Sequence, residues 1–125
     1  MANVKPIPDG YHSVTPYLVM NGAAAAIDYY KNAFGATELF RMEHQGKIGH
    51  AEIKIDDSPI MLADENPQMG FVGPQALGGT PVSLMIYVDD VDKIYPQAIA
   101  AVSPTRTWRV HLRGEAGLPW RSAFR

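Results

Sequence analysis

Two segments of the chain, 68 residues apart, share one pattern of hydrophobic and polar positions. The first, Met20–Phe34, reads MNGAAAAIDYYKNAF, and the second, Val88–Val102, reads VDDVDKIYPQAIAAV. In both, small or apolar residues recur at helical spacing behind polar residues that suit a helix N-terminus. An apolar run, Val14–Met20 or Val82–Val88, precedes each copy. The chain therefore repeats a strand–helix unit, which predicts a fold built from two copies of one module.

The first copy continues into three further predicted strands. Four consecutive alanines favour a helix over Ala23–Phe34, and Gly35 stands where a helix-ending glycine is expected. Pro16 inside the preceding run predicts a strand that lies at a sheet edge or turns the missing donor outward, because proline donates no backbone hydrogen bond. The later strands are Thr37–Glu43, Ile48–Asp56 and Pro59–Ala63, joined by turns at His44–Lys47 and Asp57–Ser58.

The remainder of the chain is less regular. The proline- and glycine-rich segment Asp64–Thr80 predicts a long linker or lid loop. A helix is predicted over Asp90–Ala101, and Pro96 inside it is expected to kink or shorten it at a cost of about 3 kcal/mol. Beyond Ala101 the pattern is lost, although Thr105–Leu112 alternates and can supply one strand. We predict a single domain, residues 1–125, made of a first module (14–63), a loop (64–80) and an altered second module (81–125).

Composition narrows the class of protein. An apolar content of 46% and a charged content of 19% are ordinary for a globular domain. There is no cysteine, so disulfides, thiolate nucleophiles and zinc–thiolate sites are excluded. The N-terminal segment has no apolar core of signal-peptide length, and no run approaches about 18 apolar residues. We therefore expect a cytoplasmic protein with no membrane association.

The charge is unevenly distributed. The segment 1–101 carries six basic and twelve acidic residues, whereas 102–125 carries five arginines and one glutamate. A basic tail is one sign of nucleic-acid binding, but these arginines are dispersed and form no run. We expect no nucleic-acid partner.

Four phrases carry a resemblance to a known family. They are SVTPYLVMNGAAAAIDYYKNAFGATELFRM, GHAEIKI, IMLADENP and LGGTPVSLMIYVDDVD. They resemble the PhnB-like branch of the vicinal oxygen chelate superfamily, which includes glyoxalase I, bleomycin-resistance proteins and extradiol dioxygenases. The resemblance covers residues 7–101 and implies an α+β fold of paired βαβββ modules, here with the second module incomplete at its C-terminus. Because this fold supports many reactions, the resemblance selects none of them.

The last residues depart from that family. Relatives usually add three more strands, whereas Val102 is followed here by SPTRTWRVHLRGEAGLPWRSAFR. A shifted reading frame and genuine divergence both explain such a change. Relatives in the superfamily often dimerise, and a second subunit can cover an apolar face that an incomplete module leaves open. We therefore expect a homodimer.

The resemblance also implies where a metal would bind. In relatives resembling glyoxalase I, four His or Glu ligands come from the first and last strands of each module. Three of these positions fall at Thr15, Met61 and Ser83, and the fourth lies in the altered tail. Hydroxyl and thioether groups are poor ligands for nickel, zinc or iron. We predict no glyoxalase-type metal site, while a divalent metal at other positions remains open.

Strand alternation suggests which side chains face a cavity. In Ile48–Asp56, His50 and Glu52 lie on the face opposite Ala51 and Ile53. His50 is the foremost candidate, since imidazole acts as acid, base or ligand near neutral pH. The alternative is an ordinary hydrogen-bonded strand histidine beside a solvated Glu52. The candidates are His50 and Glu52 for catalysis, and Tyr17, Arg41, Met85 and Tyr87 for ligand binding.

Three functions compete at this stage. One is a small-molecule binding protein of the bleomycin-resistance type, with a cleft between the modules and no cofactor. The alternative is a divalent-metal-dependent lyase, isomerase or dioxygenase that uses His50 and Glu52. A third is a folded remnant that has lost its activity with its tail. The absent ligand set and the aromatic and methionine lining favour the binding protein.

Overall fold

The computed structural model describes residues 4–101, 109–114 and 121–122. Sequence predictions for 102–108, 115–120 and 123–125 lie outside this range. The first module consists of β1 (Tyr17–Met20), α1 (Ala23–Phe34), β2 (Thr37–His44), β3 (Lys47–Ile55) and β4 (Ser58–Asp64). These strands form a sheet in the order β1-β4-β3-β2, in which β1 and β4 are parallel and the other pairs antiparallel.

Local sequence sets the bounds of α1 and the following hairpin. The predicted helix Ala23–Phe34 is confirmed, and Gly35 ends it in the left-handed region at φ 68°. Gln45 and Gly46 both have positive φ, 51° and 76°, between β2 and β3. A two-residue turn of this kind has the twist that antiparallel strands need.

The first strand is shorter than its apolar run predicts. It begins at Tyr17 rather than Val14, directly after Pro16. Pro16 has no N–H to donate, although its carbonyl still accepts from the Met61 amide at 3.0 Å. The backbone pairing of β1 with β4 therefore extends one residue before the strand itself.

The predicted loop holds two short helical segments. A 3₁₀ turn spans Pro67–Met69, and α2 spans Pro74–Leu77. Each has a proline in its first turn, where a missing N–H is tolerated, and each ends at a glycine with positive φ. The loop is thus more ordered than its proline and glycine content predicted.

The second module contains β5 (Ser83–Tyr87), α3 (Val91–Ala100), β6 (Arg109–Arg113) and β7 (Arg121–Ser122). The sheet order is β5-β6-β7, with β6 parallel to β5 and β7 antiparallel to β6. The predicted strand Thr105–Leu112 is confirmed for its described part, residues 109–112. Helix α3 runs without a break through Pro96, which is exposed. The observed helix is one residue shorter at each end than the predicted one, and it is not divided.

The core lies between the two helices and the two sheets. Helix α1 buries one face, including Ala26, Ile27 and Tyr30, against the inner face of the first sheet. The helices also contact one another, and the Gln97 amide nitrogen of α3 donates to the Ala33 carbonyl at 3.0 Å. Val110 and Leu112 of β6 complete this core from the second sheet. In the part of the chain that the structure describes, no helix has the length and apolarity needed to cross a bilayer.

Candidate functional site

The first sheet has one covered face and one open face. Along β3, Ala51, Ile53 and Ile55 are buried against the helices, whereas His50 and Glu52 lie on the other side. This arrangement is the one that strand alternation predicts. The open face is where side chains of the first module can meet a ligand.

Four side chains form a continuous hydrogen-bonded chain on the open face. The Tyr17 hydroxyl lies 2.8 Å from His50 Nδ1, and His50 Nε2 lies 3.0 Å from Glu52 Oε1. The Tyr11 hydroxyl donates to the other oxygen of Glu52. We call Tyr17, His50, Glu52 and Tyr11 the polar chain. It links three of the predicted site residues to one that the sequence did not indicate.

Sheet register explains why these residues meet. Met61 of β4 pairs with Tyr17 on one side and with Glu52 on the other. The two residues therefore lie in one row across the sheet, with His50 one row further along the same face. Tyr11 arrives from outside the sheet, on an N-terminal arm that turns through a bond from its amide to the Pro8 carbonyl at 3.1 Å.

The polar chain shifts the ionisation of its members. Hydrogen bonds from Tyr11 and then from His50 lower the pKa of Glu52, while partial burial acts against them. Burial, the hydrogen bond to Glu52 and the charge of Glu52 together raise the pKa of Tyr11 to about 12. Burial and then the Glu52 charge also raise the pKa of Tyr17. At neutral pH the polar chain therefore consists of one carboxylate and two un-ionised phenols.

Aromatic rings flank the imidazole. The ring centroids of Tyr17 and Phe40 lie 5.5 Å and 6.1 Å from that of His50. The side chains of His50 and Glu52 are 24% and 23% exposed, so both are shielded without being removed from water. Such a setting limits the conformations of the imidazole and leaves it accessible to proton exchange.

A cavity of about 1040 Å³ opens beside the polar chain, and we call it the large cavity. Its floor includes Tyr17, Val19 and Ala63, and one wall is the loop from Glu65 to Phe71. The hairpin between β2 and β3 forms another side through His44 and Lys47. Tyr17 is the member of the polar chain that lines this space.

The loop wall is fastened to the sheet. Asn66 and Phe71 exchange backbone hydrogen bonds of 2.8 and 3.0 Å, which close a small loop around the 3₁₀ turn. The Gly73 amide donates to Glu65 Oε1 at 2.8 Å. A Cβ atom on Gly73 would lie 2.8 Å from the Met20 Cα, so only glycine fits there. The Glu65 amide ties the loop to β1 by donating to the Met20 carbonyl at 3.0 Å.

Asp64 has a structural role. Its Oδ1 accepts from the amides of Gly22 and Ala23 at 2.9 and 2.8 Å, and its Oδ2 accepts from the Ile48 amide at 2.7 Å. One carboxylate thus satisfies the first amides of α1 and ties β4 to β3. The carboxylate is therefore held among backbone donors.

The remaining predicted ligand residues lie elsewhere. Met85 and Tyr87 line a cavity of about 530 Å³ between β5, the β3–β4 turn and the arm at His12. Arg41 pairs instead with Glu38 at 2.6 Å and with Glu43 at 3.1 Å, in register with the buried Ala51. The structure therefore brings Tyr17, His50 and Glu52 together and does not bring Arg41, Met85 or Tyr87 to them. The ligand roles of these three stay predictions.

The donor set does not fit a metal centre of the glyoxalase I type. Thr15, Met61 and Ser83 offer hydroxyl and thioether groups at the positions that the resemblance implies. Among the described residues, no group of three or more His, Asp or Glu side chains is arranged to hold a metal ion. Both ring nitrogens of His50 already have hydrogen-bond partners. Binding a metal there would displace Tyr17 or Glu52.

The sequence did not predict the contact of Tyr11 with Glu52 or the hydrogen bonds from backbone amides to Asp64. Tyr11 is 41 residues from Glu52, in an N-terminal arm that contains Pro6, Pro8 and Gly10. No local pattern indicates such a partner. An aromatic residue beside the turn at Gly10 was the one available sign.

Residues 11–112 match the family model of the Glyoxalase/Bleomycin resistance protein/Dioxygenase superfamily. Uncharacterized proteins of Mycobacterium bovis and Mycobacterium tuberculosis are 42% identical over 93 residues, which is 71% of this chain and 61% and 55% of theirs. The chain therefore spans somewhat more than half the length of these curated relatives.

Solved structures share the fold. A gene product of Arabidopsis thaliana aligns with a TM-score of 0.62 at 20% identity, over 84% of this chain and 80% of that one. The PhnB protein of Bacillus cereus aligns with a TM-score of 0.54 at 16% identity, over 70% of this chain and 73% of that one. The fosfomycin resistance protein FosX of Listeria monocytogenes aligns with a TM-score of 0.56 at 11% identity, over 82% of this chain and 90% of that one. At these identities the likeness concerns the fold, an α+β arrangement with one complete βαβββ module and a partial second one.

Proposed function

The chain belongs to the Glyoxalase/Bleomycin resistance protein/Dioxygenase superfamily, and from this premise we propose that it binds a small molecule in the large cavity, without a metal centre of the glyoxalase I type. The observation that carries the proposal is the cavity itself. Its volume of about 1040 Å³ matches the upper range of small-molecule sites. A fastened loop and the open face of a rigid sheet form its walls.

The lining indicates the chemistry of the ligand. Val19, Ala63 and Phe71 provide apolar surface, and the Tyr17 ring provides an aromatic face with a hydroxyl at its end. Lys47 supplies a positive charge at the hairpin side. Sites that combine an apolar lining with a few polar groups favour ligands of the same mixed character. We propose an aromatic or otherwise planar ligand that carries a polar group.

A metal-dependent lyase, isomerase or dioxygenase is the second candidate, because His50 and Glu52 are adjacent on the open face. Metal analysis of protein purified without chelator distinguishes the two proposals. The binding proposal predicts no stoichiometric metal. A stoichiometric metal that is lost in His50→Ala would support the enzyme instead.

We also propose that the protein forms a homodimer. Phe40 and Met42 are about half exposed on the open face of the first sheet. Covering such side chains is a common reason for association. Sedimentation at micromolar concentration tests this proposal, and a stable monomer would contradict it.

Ligand binding is tested by saturation-transfer NMR with a library of small aromatic and polar metabolites. Val19→Phe fills the floor of the large cavity and is expected to abolish the signals that wild-type protein gives. Leu77→Phe is the matched control, since Leu77 is exposed on α2 and does not line the cavity. The proposal is wrong if no compound binds, or if compounds bind Val19→Phe as they bind wild type.

A further inference from the structure

We infer that the polar chain is a metal-free proton relay, in which Tyr17 exchanges a proton with a ligand in the large cavity and His50 accepts or returns it. The inference rests on the proposed function, because Tyr17 is the member of the polar chain that lines the cavity. It assigns an acid–base role to a tyrosine predicted only to bind a ligand. His50 is the proton acceptor, and Glu52 and Tyr11 are positioning residues.

The direction of each hydrogen bond follows from the available donors and acceptors. Glu52 is held ionised by its hydrogen bonds, so both of its oxygens accept. His50 Nε2 must then carry a proton, which it donates over 3.0 Å to Glu52 Oε1. In a neutral imidazole this leaves Nδ1 as an acceptor, and the Tyr17 hydroxyl donates to it at 2.8 Å.

This arrangement moves a proton without any co-reactant. A weakly acidic hydroxyl of the ligand gives its proton to the Tyr17 oxygen while the Tyr17 proton passes to His50 Nδ1. The products are a ligand anion, an un-ionised Tyr17 and an imidazolium whose Nε2–H remains on the Glu52 carboxylate. The reverse transfer returns the proton to the ligand. A carboxylate that orients an imidazole, which in turn accepts from a hydroxyl, is a recurrent arrangement in acid–base sites.

Tyr11 completes the relay from outside the sheet. It donates to the Glu52 oxygen that His50 does not use, so both oxygens have a partner. The carboxylate is thereby fixed with one oxygen facing the imidazole. We expect removal of this hydroxyl to loosen the orientation of His50 and to weaken the relay without abolishing it.

The hydrogen-bond pattern is tested first on ligand-free protein. Long-range ¹H–¹⁵N spectra of the imidazoles, with His50→Gln to identify the His50 signals, report which ring nitrogen carries the proton. The expected form of neutral His50 is protonated at Nε2, and Tyr17→Phe should shift its Nδ1 signal towards that of a nitrogen with no hydrogen bond. A proton on Nδ1 of the neutral ring, or an Nδ1 signal unchanged in Tyr17→Phe, overturns the relay and leaves the proposed binding function intact.

Proton transfer is tested with 4-nitrophenol, whose ionised form is yellow. At a pH where the free probe is mostly un-ionised, wild-type protein is expected to bind it as the phenolate. Tyr17→Phe should bind it with an ionised fraction reduced about ten-fold or more, and Glu52→Gln should reduce that fraction as well. Tyr95→Phe, on α3 and outside both cavities, is the matched control and should behave as wild type.

The outcomes separate the two proposals. Binding of the un-ionised probe by wild type, or equal ionisation in Tyr17→Phe, overturns the relay while the binding function stands. Failure of the probe to bind wild type counts against the proposed ligand class and against the relay together. Circular dichroism of each variant shows that the fold is retained, and Glu52→Gln preserves side-chain shape if Tyr17→Phe does not fold.

Discussion

The first strand of each module, β1 or β5, pairs with a parallel strand, β4 or β6. The two modules differ in the path that the chain takes between the paired strands. In the first, the chain runs from α1 to the far edge of the sheet and returns through β3 before β4 pairs with β1. In the second, β6 already pairs with β5, and β7 lies outside it. The common part is a parallel strand pair covered by a helix. Among the residues that the structure describes, the antiparallel strands β2 and β3 distinguish the first module, and β3 carries His50 and Glu52.

The difference extends to the core. Most of the large, fully buried side chains among the described residues belong to the first module, whereas the second contributes Val110 and Leu112. Helix α1 buries six side chains and α3 buries Ala98. We therefore expect the first module to carry most of the stability and the second to cover the outer face of α1.

The largest expected difference in stability between the modules comes from substitutions at equivalent strand positions. Leu18 of β1 is 2% exposed, and Ile86 stands at the same place in the repeat on β5, half-buried. Leu18→Ala is expected to lower the free energy of unfolding by about 3 kcal/mol, because it leaves a cavity in a closed core. Ile86→Ala should cost about half as much. Urea denaturation measures both, and equal losses would show that the modules share the core evenly.

The next largest difference in stability is expected at the N-termini of the two helices. The N-cap residue of α1 is Gly22, which has no side chain to cap the helix, so α1 depends on the distant Asp64. Asp90 caps α3 itself by accepting from the Lys93 amide at 3.2 Å. Asp64→Ala should cost about 2 kcal/mol because three partly buried amides lose one acceptor. Asp90→Ala, at an exposed site, should cost about 1 kcal/mol. A larger loss for Asp90→Ala in thermal unfolding would contradict this order.

Replacing Pro96 is expected to stabilise the second module. It removes one hydrogen-bond donor from α3 but leaves the helix continuous. We expect Pro96→Ala to raise the free energy of unfolding by about 1 kcal/mol, less than the ~3 kcal/mol of a proline in a regular helix interior. Chemical denaturation measures the change. An unchanged or lowered stability would show that α3 depends on proline at this position.

The smallest expected effect is an alkaline sensitivity of the first module. Tyr11 has a folded-state pKa of about 12, above its ordinary 10.0, so the un-ionised phenol favours the folded state. Its contribution is fully present below pH 10.0 and is lost as the pH rises to about 12. Wild type should therefore lose stability relative to Tyr11→Phe across that interval. Parallel curves for wild type and Tyr11→Phe would refute the prediction.

Much of the first module could be predicted from sequence because its signals are local. The alanine run and Gly35 defined α1, the Gln45–Gly46 pair defined a hairpin, and alternation assigned the faces of β3. The strand Val14–Met20 was predicted too long because an apolar run does not show where pairing begins. The loop 64–80 was predicted without structure because its short helices depend on prolines that also mark loops.

The candidate site could be predicted only in part. Alternation put His50 and Glu52 on one face, but their partners depend on sheet register and on the course of the arm. Tyr17 meets His50 because β1 and β3 both flank β4. Arg41 lies in register with a buried alanine, and a bulge in β2 contributes to that placement. No sequence pattern reports such a register shift.

The sequence by itself determined α1, α3, the turn between β2 and β3 and the faces of β3, since these follow from the preferences of neighbouring residues. Only the tertiary structure decided which distant groups satisfy one another: Tyr11 with Glu52, Tyr17 with His50, and Asp64 with the first amides of α1. The physical reason is that strand order, register and the course of the chain outside the sheet set which polar groups come within hydrogen-bond distance, whereas local propensity acts only between neighbours in sequence.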